Sequence, residues 1–241
     1  MKPSQTFPDF LGIGAQKSAT TWIDKMLRYH PMLYFPQTKE IHFFDQNFLN
    51  GLEWYSNHFM FAGNKVKGEI TPAYAILPSD TIAFIRRLVP EVKLFFIMRN
   101  PVDRAWSHAL MEFMMVRKLK YEEITKEMFL EHFNGEGSII RGDYATNLTN
   151  WFKHFPRKRL LLCFYEDVEE NPQQLLESIM NHLSVDPNLY PWDKLDIKKR
   201  FLVNKQIELP DDLKARLQEI YKDKVAALKG VIDSPRIDGW V

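Results

Sequence analysis

The sequence predicts an α/β protein: a single domain over residues 1–241, with a central parallel sheet flanked by helices and a P-loop-like strand–turn–helix near the N-terminus. Two observations carry this expectation. Short apolar runs alternate with stretches of helical periodicity along most of the chain, the pattern of strands that pair in parallel and are covered on both faces. The first apolar run also passes through a glycine turn directly into a helical pattern. No internal repeat, low-complexity run or Gly/Ser linker marks a domain boundary.

Phe10–Gly14 reads as a buried strand, followed by a helix over about 18–29 with Trp22, Ile23, Met26 and Leu27 on one face. A short strand is expected over 32–35, a helix over 52–59, and a strand over 65–69 that runs into Thr71-Pro72. A helix over 81–88 leads to 92–98, the strongest strand of the chain. Pro101 then sits where a helix should begin, because its fixed φ suits the first turn and its missing N–H costs nothing there. Helices are expected over 121–133 and 144–155, a strand over 160–165, and a helix from Pro172 to Leu183. Residues 186–206 read as irregular and basic, and 211–228 as the last helix.

Composition narrows the function. The 241 residues are 45% hydrophobic and 14% aromatic, enough for a sizeable core. A net charge of +1 argues against a general nucleic-acid binder, so any anion site must be local. Cys163 is the only cysteine, which leaves no internal disulfide and no Cys-rich metal site. No 18-residue apolar window is present, and the first nine residues lack the apolar stretch of a signal peptide, so a cytoplasmic protein without a membrane span is expected.

In open parallel sheets ligands bind beyond the carboxyl ends of the strands. Two such places carry anion-binding chemistry. Gly14 to Thr21 opens a helix, where unpaired amides and the helix dipole attract a phosphate. Gln16, Lys17, Ser18, Ala19, Thr20 and Thr21 surround that point with a charge and hydroxyl donors. The string departs from a Walker A loop, with Gln16 and Leu11 where glycines belong. A plainer reading makes Ser18 an N-cap of an ordinary turn. The second place begins at Arg99, whose guanidinium leaves the sheet edge where it can clamp a phosphate, with Ser107 two helical turns further on. Arg104 reads as structural, paired with Asp103 or another carboxylate. Two anion sites on one sheet edge suit a nucleotide carrying both a 5′ and a 3′ group.

Together these residues resemble the family of sulfotransferases that use 3′-phosphoadenosine-5′-phosphosulfate (PAPS), in particular its heparan sulfate branch. The resemblance rests on Gln16–Thr21, Lys39-Glu40-Ile41-His42-Phe43-Phe44-Asp45, Gly68–Tyr74, Arg99–Ser107, Tyr144 with Trp151, and Tyr165-Glu166-Asp167, in the family's order over roughly residues 9–185. It implies that Gly14–Thr21 holds the 5′-phosphosulfate with Lys17 at the transferring end, that Arg99 and Ser107 hold the 3′-phosphate, and that Glu40 is the catalytic carboxylate with His42 beside it. It implies PAPS as co-substrate, adenosine 3′,5′-bisphosphate as product, and no metal. Ile70 departs from the pattern, standing where several carbohydrate-directed relatives have a lysine beside the acceptor. Lys198, Lys199, Arg200 and Lys205 are the candidates for a C-terminal segment that closes on the nucleotide.

The expected reaction is in-line sulfuryl transfer to an acceptor hydroxyl or amine, with Glu40 or His42 as general base, worth typically ~10²–10⁴-fold. Two residues apart on an extended segment, both side chains would face one cleft. Glu69, Tyr74, Trp106, His108, Met111 and Met114 are candidates for the acceptor wall. The acceptor is left open among small-molecule, carbohydrate and carrier-bound compounds. Two other readings are a P-loop-like nucleotide kinase, which needs Mg²⁺ and a Gly-Lys-Ser/Thr that is missing, and a non-catalytic nucleotide-binding module.

Overall fold

Strand order and side-chain alternation explain where the functional residues gather. The structure is a computed structural model that describes residues 5–198 and 207–241. In chain order its elements are β1 (Phe10–Gly14), α1 (Thr20–Leu27), β2 (Leu33–Tyr34), α2 (Gly51–Asn57), β3 (Val66–Ile70), α3 (Ser79–Leu88), β4 (Lys93–Met98), α4 (Pro101–Leu110), α5 (Lys126–Asn134), α6 (Glu136–Gly142), α7 (Tyr144–His154), β5 (Leu160–Phe164), α8 (Glu166–Glu170), α9 (Pro172–Leu183) and α10 (Asp211–Lys229). The five strands pair in parallel in the order β2-β3-β1-β4-β5.

Both faces of the sheet are covered, as an all-parallel sheet requires. Leu94, Phe96 and Met98 of β4 join Tyr144, Leu148 and Trp151 of α7 on one face, while Phe95 and Ile97 join α1 and α9 on the other. All five of these β4 residues are at most 1% exposed, and burial of each large apolar side chain is worth about 1.5–3 kcal/mol. A third apolar cluster, off the sheet, packs α4 against α5 and α10 through Ala105, Trp106, Phe129, Phe133 and Leu217. Among the described residues no helix is long and apolar enough to cross a membrane.

From β1 the chain passes outward to β2 and back through β3, then crosses to β4 on the other side of β1. The loops leaving β1 and β4 therefore part at a switch point, where a crevice opens at the carboxyl ends. Gly12 lies in this central strand because a Cβ there would meet the Phe95 ring at 2.6 Å and Ile70 at 2.8 Å. Ile70 is thus a core residue beneath α1, 1% exposed, and not part of an acceptor cleft.

Three stretches differ from expectation. The helix foreseen over 121–133 is a short turn at Tyr121–Glu123 followed by α5, because Thr125 caps a new start by accepting from the Met128 amide at 3.3 Å. Helix α6 has no clear apolar period and was not foreseen. Beyond Leu110 the chain of α4 continues as a π turn, Met111–Val116, in which the Arg117 amide donates to the Glu112 carbonyl at 2.9 Å.

Candidate active site

The loop after β1 is built from backbone. The Ala15 amide donates to the Ile97 carbonyl at 2.8 Å, tying the loop to β4, and Lys17 and Ala19 take φ of 69° and 59°. These left-handed residues turn the chain abruptly into α1, whose N-cap is Ala19 with no side-chain cap. The plainer N-cap reading of Ser18 does not hold: Ser18 is 0% exposed, and its hydroxyl lies beside the Tyr144 phenol without a well-formed hydrogen bond. The first amides of α1 have no intrahelical acceptor, and its first turn carries no acidic residue to neutralise them.

A cleft of about 860 Å³ opens over this loop. Gln16, Lys17, Ala19, Thr20 and Thr21 line it from the α1 side, and Arg99 and Ser107 from the β4–α4 side. The two predicted anion sites are therefore walls of one cleft. Arg99 is fixed in three ways. Its Nη1 donates to the Lys17 carbonyl at 3.1 Å, its guanidinium stacks 4.3 Å from the Tyr165 ring centre, and the Tyr144 hydroxyl donates to its carbonyl at 3.0 Å. Its Nε is buried without a partner, as are Gln16 Oε1 and the Ser18 hydroxyl. Burial and the neighbouring Arg99 charge both lower the Lys17 pKa, against a smaller opposing effect of Glu40. Two cations held together beside free amides and the unpartnered Arg99 Nε–H are relieved by an anion. This donor set fits a phosphorylated nucleotide.

Glu40 also lines the cleft, whereas His42 does not. The segment that carries them is not extended: Glu40 and His42 have φ of 58° and 54°. Their side chains still meet, because two left-handed residues fold the segment on itself, with Glu40 Oε2 3.5 Å from His42 Nε2. His42 Nδ1 lies 2.8 Å from Asp45 Oδ2, and Glu40 also pairs with Lys39. Asp45, and after it Glu40, raises the His42 pKa to about 9. Burial works to raise the Glu40 carboxyl, but hydrogen bonds from His42 and Lys39 outweigh it and leave it below its ordinary value. At neutral pH Glu40 is thus a carboxylate able to accept a proton, and His42 is a cation that is not.

What holds this segment is a buried acid, Glu69 at the end of β3, 2% exposed. It accepts from the Ile41 amide at 3.2 Å, the Tyr55 hydroxyl at 2.8 Å, Thr71 Oγ1 at 2.6 Å and the Tyr74 hydroxyl at 3.0 Å. Tyr74 receives the Phe43 amide at 2.9 Å. Phe43 stacks on Tyr55 with ring centres 4.3 Å apart. Glu69 and Tyr74 therefore support the site from beneath instead of lining the acceptor wall.

Of the other candidates, Trp106 and Met111 line the cleft and His108 and Met114 do not. Arg104 is structural, but without a carboxylate: fully buried, it donates to the Ser138 carbonyl at 2.9 Å and lies 3.2 Å from the Tyr221 hydroxyl. Lys198 lines the cleft, while Lys199, Arg200 and Lys205 lie outside the described residues. Sequence reasoning did not single out Tyr165 as the platform under Arg99, although its place at the end of β5 pointed there.

A central parallel sheet with cations and helix-start amides at its switch point defines an anion-binding class of site. Residues 7–201 match the sulfotransferase domain, and the chain belongs to that family. Human bifunctional heparan sulfate N-deacetylase/N-sulfotransferase 2 is 28% identical over 206 residues, 78% of this chain and 23% of that protein. The chain thus spans about a quarter of that relative's length. A sulfotransferase from Alicyclobacillus acidocaldarius has the same fold, with a TM-score of 0.74 at 23% identity over 96% of this chain and 99% of that one. A mouse sulfotransferase solved with PAP gives 0.52 at 18% identity, covering 95% and 68%.

Proposed function

We propose that the protein transfers the sulfuryl group of PAPS to an acceptor hydroxyl or amine. One observation carries the reading: Lys17 and Arg99, joined by a hydrogen bond and set beside the unpaired amides of α1, form a cationic cradle in the same cleft as an ionised Glu40. In this reading the amides of the β1–α1 turn and Lys17 hold the 5′-phosphosulfate, while Arg99 and Ser107 hold the 3′-phosphate. Family membership supports the donor, as does the PAP bound by a mouse protein of the same fold.

The acceptor oxygen or nitrogen bonds to sulfur as the bond from sulfur to the bridging phosphate oxygen breaks. Lys17 neutralises the charge that grows on that leaving oxygen, and Glu40 takes the acceptor's proton. His42, protonated, orients Glu40 and is a positioning residue. Adenosine 3′,5′-bisphosphate leaves with both of its phosphates.

Glu40→Gln with PAPS and a cell extract as acceptor source tests the assignment. Turnover should fall by ~10²–10⁴-fold, while calorimetric affinity for adenosine 3′,5′-bisphosphate stays unchanged. Loss of that affinity with unchanged turnover would sink the base assignment.

A further inference from the structure

A second collection of positive charge lies on a face of α4 that the donor site leaves unused. Arg104 and His108, four residues apart, share that face, and neither lines the cleft. Arg104 is 0% exposed. Its Nη2 donates to the Ser138 carbonyl of α6 at 2.9 Å, while its Nε and Nη1 have no partner. Arg141, one turn further along α6, donates from Nη1 to the adjacent Gly137 carbonyl at 2.6 Å, and its Nε is buried without a partner. The two guanidinium groups therefore hang from neighbouring carbonyls. The Ser138 hydroxyl, at the same place, is buried and unpartnered as well.

Among the described residues no carboxylate pairs with either arginine. Those whose charge reaches the group are engaged elsewhere, Asp45 with His42 at 2.8 Å and Glu112 with Arg117 at 3.0 Å. The remaining residues, 1–4 and 199–206, contain no Asp or Glu and add none. A buried cation without a counter-charge ordinarily sheds its proton. The histidines here do so. His108 Nδ1 lies 3.2 Å from His132 Nε2 of α5. Burial, and after it the charges of Arg104, His132 and Arg141, lowers His108 to about 3, and burial leads the lowering of His132. Both rings are neutral at pH 7. An arginine has no such escape, because a guanidinium does not deprotonate in a protein. Buried and unpaired, it is satisfied by an ion from solution.

We propose that Arg104 and Arg141 hold a small monoanion of the halide class, such as chloride, at the junction of α4 and α6. The Nε–H and Nη1–H groups of Arg104, the Nε–H of Arg141 and the Ser138 hydroxyl are its donors. Burial sets its size: Arg104 has no contact with solvent, so the ion enters past the half-buried Arg141 and is compact. It supplies the counter-charge under which α6 docks on α4, and it is separate from the donor cradle of Lys17 and Arg99.

Bromide substitutes for chloride and scatters anomalously. Crystals of the full chain soaked in sodium bromide should show an anomalous peak between Arg104 and Arg141. Its absence there overturns the proposal, whatever peak appears at the cradle. In solution, thermal melts at fixed ionic strength compare sodium bromide with sodium gluconate, whose anion is too bulky for this site. The Tm should rise by about 3–6 °C at ten times the half-saturating bromide concentration. Arg99→Ala should keep this response, and Arg141→Gln, at a half-buried position, should lose at least half of it. No rise in Tm would overturn the proposal. A response that vanishes in Arg99→Ala, or is undiminished in Arg141→Gln, would do so too, because the ion would then sit in the cradle or elsewhere.

Discussion

The β1–α1 turn and the segment from Lys39 to Asp45 border one cleft, yet they are held there by opposite means. The turn is shaped by backbone: a strand end, two left-handed residues, and the amides of a helix start. The segment is shaped by side chains, above all a buried Glu69 that reaches across 28 residues to the Ile41 amide. Backbone presents its amides largely independently of side-chain chemistry, although Gly14 is required where a Cβ would meet the Phe96 ring at 2.9 Å. The base pole depends on a hydrogen-bonded network whose members are all required. In the reading proposed above, one pole binds and the other reacts.

After the loss expected of Glu40→Gln, the largest effect falls on the charge at the junction of the two. Lys17→Ala should lower kcat by ~10²–10³-fold, the cost of removing one donor from a preorganised transition-state site. Steady-state kinetics with PAPS will check it. Arg99→Ala should act differently, raising the KM for PAPS by about 10–100-fold through lost charge-assisted hydrogen bonds while kcat changes by only a few-fold. If the two variants lowered kcat equally, the division between binding and reacting groups would fail.

The same contrast decides what the sequence could reveal. The parallel sheet, the turn after Gly14 and the placement of Arg99 are local consequences of apolar runs, glycines and a proline at a helix start, so they are legible one segment at a time. The burial of Ile70 was not legible because its neighbours, Phe95 and the close approach of Gly12, lie on other strands. Glu40 and His42 were expected to share a face for a reason that proved wrong. They meet through two positive φ angles, which no side-chain period encodes. Nothing near Glu69 in sequence announces that it will gather two tyrosines, a threonine and an amide. Long-range polar networks are legible only once the fold is known.

Glu69→Gln tests that network directly. Burial pushes the Glu69 carboxyl up, against four donors that favour its charged form. An amide in its place cannot accept from all four: each carboxylate oxygen takes two donors, so two of them are left facing an N–H group. The expected cost is about 1–3 kcal/mol, read as a lower Tm at roughly 2–4 °C per kcal/mol for a chain of this size. The kcat should fall with it, because Ile41 and Phe43 no longer hold Glu40 over the cleft, while affinity for adenosine 3′,5′-bisphosphate stays the same. A parallel loss of nucleotide affinity would mean that the two poles are not independently supported.

The smallest effect is the most discriminating. His42 is raised to about 9 by Asp45 and Glu40, from an ordinary value of 6.5. Its contribution to stability is therefore fully present below about pH 6.5 and is lost as pH rises through about 9. Since the ring is partly exposed, solvent screening reduces that contribution to about 1 kcal/mol. Melting temperatures between pH 6 and 10 should decline across this window in the native chain and stay flatter in His42→Gln. Activity adds a sign. If Glu40 is the base and His42 its cationic positioner, kcat falls as His42 loses its proton near pH 9, and His42→Gln is slower but lacks that limb. If the imidazole were the base, kcat would instead rise through the same pH, because only the neutral ring accepts a proton. The direction of one limb thus separates the two residues that the sequence placed side by side.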